Sequence, residues 1–565
     1  MPGHGPPRDI RLVRVTEKPE VIRRFNLRVP LRDGITLAAD VVRPASGPAP
    51  AILARTPYGR YGKPHSERAA RYARGGYAFV SVDVRGRGDS DGVFEPYRND
   101  GVDGADVIEW VAGQEWCSGE VATLGGSYPG RIQWLTALHK PAALRAMVCM
   151  VTPSDPFVET PTGLPGPMHI YWYRMVDGRV LQYADDVDWT AVYRHRPLAT
   201  MDEAAGFVSA NWRAEVAHNT LDEWWEPLRY QHRIAEVDVP VLHVSGWYDD
   251  EQIGTPANYS AMVAAGRSGQ RLLMGPWGHA VNTTRKLGEV DFGPDALIDM
   301  EAQVLAFLDE HVRGIAPDEP TAPVRIFVMN AGSQGVGEWR DEQSWPPAGA
   351  SPTVLHLSSD GRANSRFGDG RLVSGPVAVE QPSDEWTHDP DRPVPFVTGE
   401  SSNQIGGPDD YLGIESRGDV LVYTSDPLTE PLEVIGPVTV IAHVATDALD
   451  TDIMAKLIDV HPGNFAQRLC DGMVRLRYRE GHDQARTVTP GEVYEVEIAL
   501  WDTCIQLPAG HRLRLEIASS AFPKFDVNLG TGGPLGTETE GVIATNRVWH
   551  TAERPSRLIL GGRPD

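Results

Sequence analysis

Ser127 lies in "LGGSYPG" (124–130), between the apolar run "EVAT" and "RIQWLTALHK", where a strand gives way to a helix. A hydroxyl held at such a turn can act as a nucleophile if its neighbours are small enough for the chain to bend sharply. Gly125 and Gly126 meet that demand on the strand side. The pattern is Gly-x-Ser-x-x-Gly, with Pro129 in the usual place of the second glycine and Gly130 one residue later. Proline suits a first helical turn, and the N–H groups of that turn would face negative charge developing beside Ser127. A serine that only caps the helix is the ordinary alternative.

Such a nucleophile needs an acid and a histidine, in the chain order Ser, Asp, His, each just past a sheet strand. "VLHVSGWYDDEQIG" ends an apolar run with Asp249 and Asp250, and "RLLMGPWGHA" ends the next with His279. Ser127 would attack, His279 would take and return its proton, and the carboxylate would fix the imidazole tautomer and stabilise the imidazolium. No His/Cys/Asp grouping shows ligand spacing along the chain, and the chemistry is complete without metal or cofactor.

The elements that must position these groups follow an α/β rhythm. "NLRVPLRDGITLAADVVRP" alternates about an Asp33-Gly34 turn and reads as a hairpin. Helical "SERAARYARGG", strand "YAFVSVDVRG", helical "NDGVDGADVIEWVAGQ", strand "EVATLGG", the helix after Ser127 and strand "LRAMVCMVTP" follow. Short apolar strands alternating with helices indicate a parallel sheet covered on both faces. Residues 152–236 break the rhythm with Trp172, Trp189, Trp212, Trp224 and Trp225 among helical segments, as a cap over a pocket or a structural subdomain would. The α/β pattern returns over 237–318. From 319 to 565 the chain consists of short alternating strands ("PVRIFVMN", "DVLVYTSD", "VTVIAHVAT", "EVYEVEIALW", "HRLRLEIASS"), expected to form a β-sandwich or jelly roll. Residues 360 to 410 are polar and read as a long irregular excursion.

The 565 residues allow two to four domains, and a hydrophobic content of 41% is ordinary for a globular chain. A net charge of −24 disfavours nucleic acid and anionic membrane as partners. "MPGHGPPRDIRLVRV" has no apolar core of a signal peptide, and no run approaches the ~20 apolar residues of a spanning helix. Cys117, Cys149, Cys470 and Cys504 are too scattered for a disulfide framework or zinc ribbon, so free thiols in a cytoplasmic protein are expected.

The chain resembles the cocaine esterase/α-amino-acid ester hydrolase group, which is related to X-Pro dipeptidyl peptidases. The resemblance rests on "RTPYGR" (55–60), "DVRGRGDSDG" (83–92), "DGADVIEWVAGQEWCSGEVATLGGSYPG" (103–130), "GWYDD" (246–250), "GPWGH" (275–279), "RGDVLVYTSDPL" (417–428) and "SSAFPKFDVNLGTGG" (519–533). It implies an α/β-hydrolase domain with an inserted helical cap, followed by a C-terminal jelly roll. It also implies Ser127 as nucleophile, Asp249 as acid, with Asp250 the neighbour one register away, and His279 as base. The oxyanion hole would be the Tyr58 hydroxyl with the Tyr128 backbone N–H, donors worth a few kcal/mol each. Without the resemblance Tyr58 reads as a half-buried aromatic. "RGRGDSDG" reads as a glycine-rich turn near the site, tied by Arg and Asp contacts. Oligomers are common in the group.

The resemblance further implies a carboxylate cluster for a substrate ammonium, two and three residues after the catalytic aspartate. Here those residues are Glu251 and the neutral Gln252, with Asp155 or Glu159 as further acids. Glu251 as an ordinary surface acid is the alternative. Trp172, Tyr171 and Tyr173 would line an apolar acyl pocket or form cap core. The expected function is hydrolysis of small-molecule carboxylic esters, extending to amides or acyl transfer. The alternatives are an X-Pro dipeptidyl peptidase or amino-acid ester hydrolase, and a carbohydrate-binding protein.

Overall fold

The computed structural model describes residues 20–561, apart from 185, 318, 331, 333–335, 350, 351, 378, 379 and 400–404. The stretch "MPGHGPPRDIRLVRV", without the apolar core of a signal peptide, lies outside the described residues.

The first strands are β1 (Val21–Pro30), β2 (Thr36–Pro44), β3 (Ala49–Thr56), β4 (Ala78–Asp83), β5 (Cys117–Gly126), β6 (Leu144–Met150), β7 (Val241–Gly246) and β8 (Gln270–Gly275). They pair in the spatial order β1-β2-β4-β3-β5-β6-β7-β8. β1 and β2 form the expected antiparallel hairpin, and every contact from β4 onward is parallel. Consecutive side chains serve opposite faces, as a pleated strand dictates. Val80, Val121 and Met147 join one core with Val107, Ile108 and Val111 of α2 (Asp100–Ala112) and Trp134 and Leu135 of α3 (Tyr128–Ala137). Phe79, Ala122 and Val148 face the other, with Tyr72 of α1 (Lys63–Arg74) and Val304, Phe307 and Leu308 of the helix Met300–Arg313. That last helix starts at Asp299, whose side chain accepts from the Ala302 N–H, and stops at Gly314 in the left-handed conformation.

Between β6 and β7 the described residues form helices and turns without a strand, including α4 (His169–Val176) and the helix Ala210–Ala217. Trp189, Trp212 and Trp225 are buried there, so three of the five tryptophans build core. Trp212, Tyr173 and Trp189 share a cluster with Tyr411, Met454, Ile458 and Tyr478, which packs this segment onto the C-terminal strands.

The strand Val324–Met329, grouped from sequence with the C-terminal strands, pairs in parallel with β8 and touches the strand Tyr494–Leu507 at Met329. It therefore belongs to both regions, and burial on both faces explains why every residue but Arg325 is apolar. Beyond it the long pairings are antiparallel. Leu432–Thr446 pairs with Tyr494–Leu507, and Asp452–Val460 lies between Ala466–Arg475 and Arg512–Ala518. The two groups enclose one core through Val440, Leu457, Ile498 and Leu515. The expected irregular stretch 360–410 is corrected: it holds strands Arg371–Ser374 and Asp384–His388. The second was hidden because only alternate residues face inward, Trp386 donating its indole N–H to Ser519 Oγ.

Candidate active site

Ser127 ends β5 and starts α3 with φ 61 and ψ −132, a strained backbone for a residue with a side chain, and that side chain does not cap the helix. Its N–H is held by the carbonyls of Met150 and Val151, and its carbonyl accepts from Gly130 and Arg131. The glycine spacing has a steric cause. A Cβ on Gly125 would sit 2.5 Å from Pro129 Cβ, and one on Gly130 would meet Thr152 Oγ1 at 2.6 Å and the Met150 carbonyl at 2.9 Å. The displaced second glycine is thus where α3 passes closest to the end of β6.

The loops after β7 and β8 are locked by Trp277. Its carbonyl accepts from Tyr248 N–H, and its indole donates to the Ala296 carbonyl at 2.8 Å. A Cβ on Gly246 would lie 2.1 Å from the Trp277 oxygen, and one on Gly275 would lie 2.4 Å from the Trp277 ring. This lock brings Asp249 and His279 together: Nδ1 of His279 bonds Asp249 Oδ1 at 2.8 Å. Ser245 Oγ donates to the other carboxylate oxygen at 2.6 Å, and Glu251 N–H donates to the first at 3.2 Å. Asp250 stands farther off, 3.6 Å from the same ring nitrogen, and Glu251 3.9 Å. Burial by itself would lower the imidazole pKa. The charge of Glu251, the Asp249 hydrogen bond and the charge of Asp250 outweigh burial and raise it well above 6.5. Burial in turn pushes the carboxyls of Asp250 and Glu251 upward, against the pull of the imidazolium.

Ser127, His279 and Tyr58 line one cavity of about 440 Å³. Burial pushes the Tyr58 phenol up to about 12, so it stays a protonated donor at neutral pH. Trp172, on α4, donates its indole N–H to the Tyr58 oxygen at 3.0 Å, which leaves the phenolic proton for another acceptor. The Tyr58 loop is tied to α4 by Arg87, which donates to the carbonyls of Pro57 and Val176 at 2.9 and 2.6 Å. Arg60, in the Tyr58 loop, pairs with Asp83 at the end of β4 and with Asp89 in the glycine-rich turn. Tyr128 opens α3, where first-turn N–H groups have no partner inside the helix. Its phenol is turned away, donating to Asp100 at 2.5 Å and accepting from Tyr97 N–H at 3.0 Å.

The remaining expected residues divide. Asp250, Glu251, Asp155, Glu159, Trp172 and Tyr173 all line the cavity. Asp250 Oδ1 and Glu251 Oε2 are buried and have no hydrogen-bond partner. Asp155 Oδ1 instead accepts from the backbone of Tyr230 and Gln231 at 2.7 and 3.1 Å. Glu159 accepts from Ser154 N–H at 2.6 Å, and burial pushes its carboxyl up to about 7. Gln252 points elsewhere, donating to the Asp502 carbonyl at 2.8 Å. Sequence reasoning missed Arg131, His169, Glu215 and, from the C-terminal region, Lys524 and Phe525. Arg131 alone had a signal, one helical turn beyond Ser127 on α3.

The arrangement is a hydroxyl at a strained turn, a carboxylate-held imidazole and a buried phenol around one cavity, a set suited to acyl transfer. Comparison with known proteins agrees with this reading. The profile of the X-Pro dipeptidyl-peptidase (S15 family) matches residues 33–281, and that of the X-Pro dipeptidyl-peptidase C-terminal non-catalytic domain matches 318–559. The chain is 34% identical to cocaine esterase of Rhodococcus sp. (strain MB1 Bresler), over 95% of this chain and 97% of that protein. Among solved structures, an α-amino acid ester hydrolase superposes with a TM-score of 0.84 at 25% identity, covering 98% of this chain and 99% of that one. An aminopeptidase from a marine sediment Thaumarchaeota archaeon gives 0.83 at 25% identity, covering 99% and 98%. Matched by two profiles over 33–281 and 318–559 and by cocaine esterase over 95% of its length, this chain belongs to the X-Pro dipeptidyl-peptidase (S15) family.

Proposed function

We propose that the protein is a serine hydrolase that cleaves carboxylic esters through an acyl-enzyme on Ser127. The observation that carries this is the Asp249–His279 hydrogen bond opening onto the cavity that Ser127 lines. With Nδ1 held by Asp249, Nε2 of His279 takes the Ser127 proton as Oγ attacks the ester carbonyl. The tetrahedral oxyanion is met by the Tyr58 hydroxyl and the Tyr128 N–H. His279 then returns the proton to the departing alkoxide, and water repeats the cycle on the acyl-serine. The architecture proposed is an α/β-hydrolase domain (1–151 and 237–318), a helical cap (152–236) contributing Trp172, and a jelly roll (319–565). Four buried cysteines without disulfides favour a reducing compartment, so a cytoplasmic location is proposed. No helix among the described residues is long and apolar enough to cross a membrane. The test is p-nitrophenyl acetate turnover with mass spectrometry of the acylated chain. Turnover and one acyl group on Ser127 are expected, both lost in Ser127→Ala. Full turnover by that variant would overturn the assignment.

A second reading is favoured by the buried oxygens of Asp250 and Glu251, which make no hydrogen bond and have the His279 ring as a charged neighbour at 3.6 and 3.9 Å. Two carboxylates lining the cavity suit an α-ammonium, as in amino-acid esters, β-lactam acyl donors or X-Pro peptides. It predicts that α-amino esters outperform their des-amino analogues and that Glu251→Gln removes the advantage. Equal rates for both esters in the wild type would remove this reading and leave the first intact.

A further inference from the structure

We infer a divalent transition-metal site in the C-terminal region, built from Asp459, His461 and His511, with the Gln467 amide oxygen as fourth donor. The sequence hid it, because Asp459 and His461 are two residues apart while His511 is far along the chain, just before the strand Arg512–Ala518. The strand register unites them. Asp452–Val460 runs antiparallel to Arg512–Ala518 with Val460 opposite Arg512, so the next residues outward, His461 and His511, face each other across the pair. Asp459 is the next-to-last residue of its strand and His461 the first beyond it, so chain alternation keeps both on one side.

The donor atoms stand at or just inside the spacing of an ion's ligands, with His511 and Asp459 closed to a hydrogen bond that the ion would open. A tetrahedral zinc with ligands near 2.0–2.1 Å holds neighbouring donor atoms about 3.3 Å apart. Here His511 Nδ1 lies 2.8 Å from Asp459 Oδ1, His461 Nε2 lies 3.4 Å from Asp459 Oδ2, and one donor atom from each of the three residues falls within 4.8 Å of the others. Gln467, paired with Asp459 on the neighbouring strand, places Oε1 3.1 Å from His461 Nε2. The group is held in place before any ion arrives. Asp459 and Gln467 are fully buried, the two imidazoles pack with centroids 4.5 Å apart, and Phe465 lies edge-on to His461 at 5.1 Å. His461, with 30% of its side chain exposed, provides the entry side. Two imidazoles, a carboxylate and an amide oxygen favour zinc, cobalt or nickel over calcium or magnesium. The site also touches the loop after β7, since Gln467 Nε2 donates at 3.3 Å to the hydroxyl of Tyr248, the residue before Asp249. None of this rests on the ester-hydrolase reading.

The test strips the full chain with EDTA, removes the chelator by dialysis and titrates with Co²⁺, then Zn²⁺. One Co²⁺ per chain with visible d–d absorption, displaced by Zn²⁺, is expected. His461→Ala should weaken binding at least about 10-fold, since even outer partners of metal ligands have that effect. Its metal-free melting temperature, compared with the metal-free wild type, confirms that the fold is kept, and His461→Gln, which retains bulk, should lose the ion equally. Absence of stoichiometric Co²⁺ would overturn the proposal. So would Co²⁺ that survives in both variants while inhibiting p-nitrophenyl acetate turnover, because the ion would then occupy Asp249, Asp250 and His279, a second group of suitable spacing.

Discussion

Trp172 donates its indole N–H to the Tyr58 hydroxyl across 3.0 Å, so a side chain from the segment between β6 and β7 aims a phenol carried by the loop after β3. The hydrogen bond consumes a lone pair of the phenol oxygen and none of its donor capacity. Trp172→Phe keeps an aromatic ring there but releases the hydroxyl. We expect kcat for p-nitrophenyl acetate to fall about 10- to 100-fold, the scale of a misaimed group. Tyr58→Phe, which deletes the donor, should cost about 100- to 1000-fold. Stopped-flow acylation rates check both, and a Tyr58→Phe enzyme as fast as wild type would remove Tyr58 from the oxyanion hole.

The acid limb of the pH–rate profile should report the carboxylates around His279. In the proposed mechanism the imidazole must be neutral to accept the Ser127 proton, and Glu251, Asp249 and Asp250 hold its pKa well above 6.5. A raised pKa keeps the base protonated to higher pH, so kcat/KM should rise toward the alkaline side. Glu251→Gln removes the largest of the raising charges, and the limb should move toward acid by about one pH unit or more. A limb that stays in place, or moves toward alkali, contradicts this electrostatic account.

The parts of this site that the sequence made legible are those whose local geometry demands particular residues. Gly125 and Gly130 have no room for a Cβ, and Gly246 and Gly275 yield to Trp277, so the turn at Ser127 and both loops carried glycine signatures. Tyr58 carried no such mark and was identified only through family resemblance. Arg131, His169 and Lys524 reach the cavity from a helix, a cap-like segment and a distant strand region, and no local pattern encodes that convergence. Proximity of the right residue types is not sufficient either. Ser359, His550 and Asp384 also meet, but all three are buried and Ser359 Oγ donates to Asp384 at 2.6–2.7 Å, an arrangement that braces strands.

The turn at Ser127 should tolerate no side chain at position 130. In Gly130→Ala the new methyl meets Thr152 Oγ1 and the Met150 carbonyl, and the second is backbone of β6 that cannot rotate away. We expect a loss of about 1–3 kcal/mol in urea unfolding, with slower acylation. Adding Thr152→Ala should recover only part of it, because the carbonyl contact remains. Full recovery would show that the strand end is not what fixes the turn.

The contact between Gly246 and Trp277 should control whether Asp249 and His279 meet at all. Gly246 is three residues before Asp249, and Trp277 is two before His279. A methyl at 246 would press on the Trp277 carbonyl oxygen at 2.1 Å and its carbon at 2.5 Å, driving the two loops apart. The Asp249–His279 bond, at 2.8 Å, spans that gap and has no slack. Gly246→Ala should therefore reduce kcat by about 10³-fold or more, approaching the effect of removing a triad aspartate. Reactivity of Ser127 toward a fluorophosphonate should fall in parallel, since it needs the same base. Gly418→Ala, where a methyl meets nothing within 4 Å, is the control and should leave both unchanged. Wild-type rates in Gly246→Ala would mean that the loops are positioned by something other than this contact.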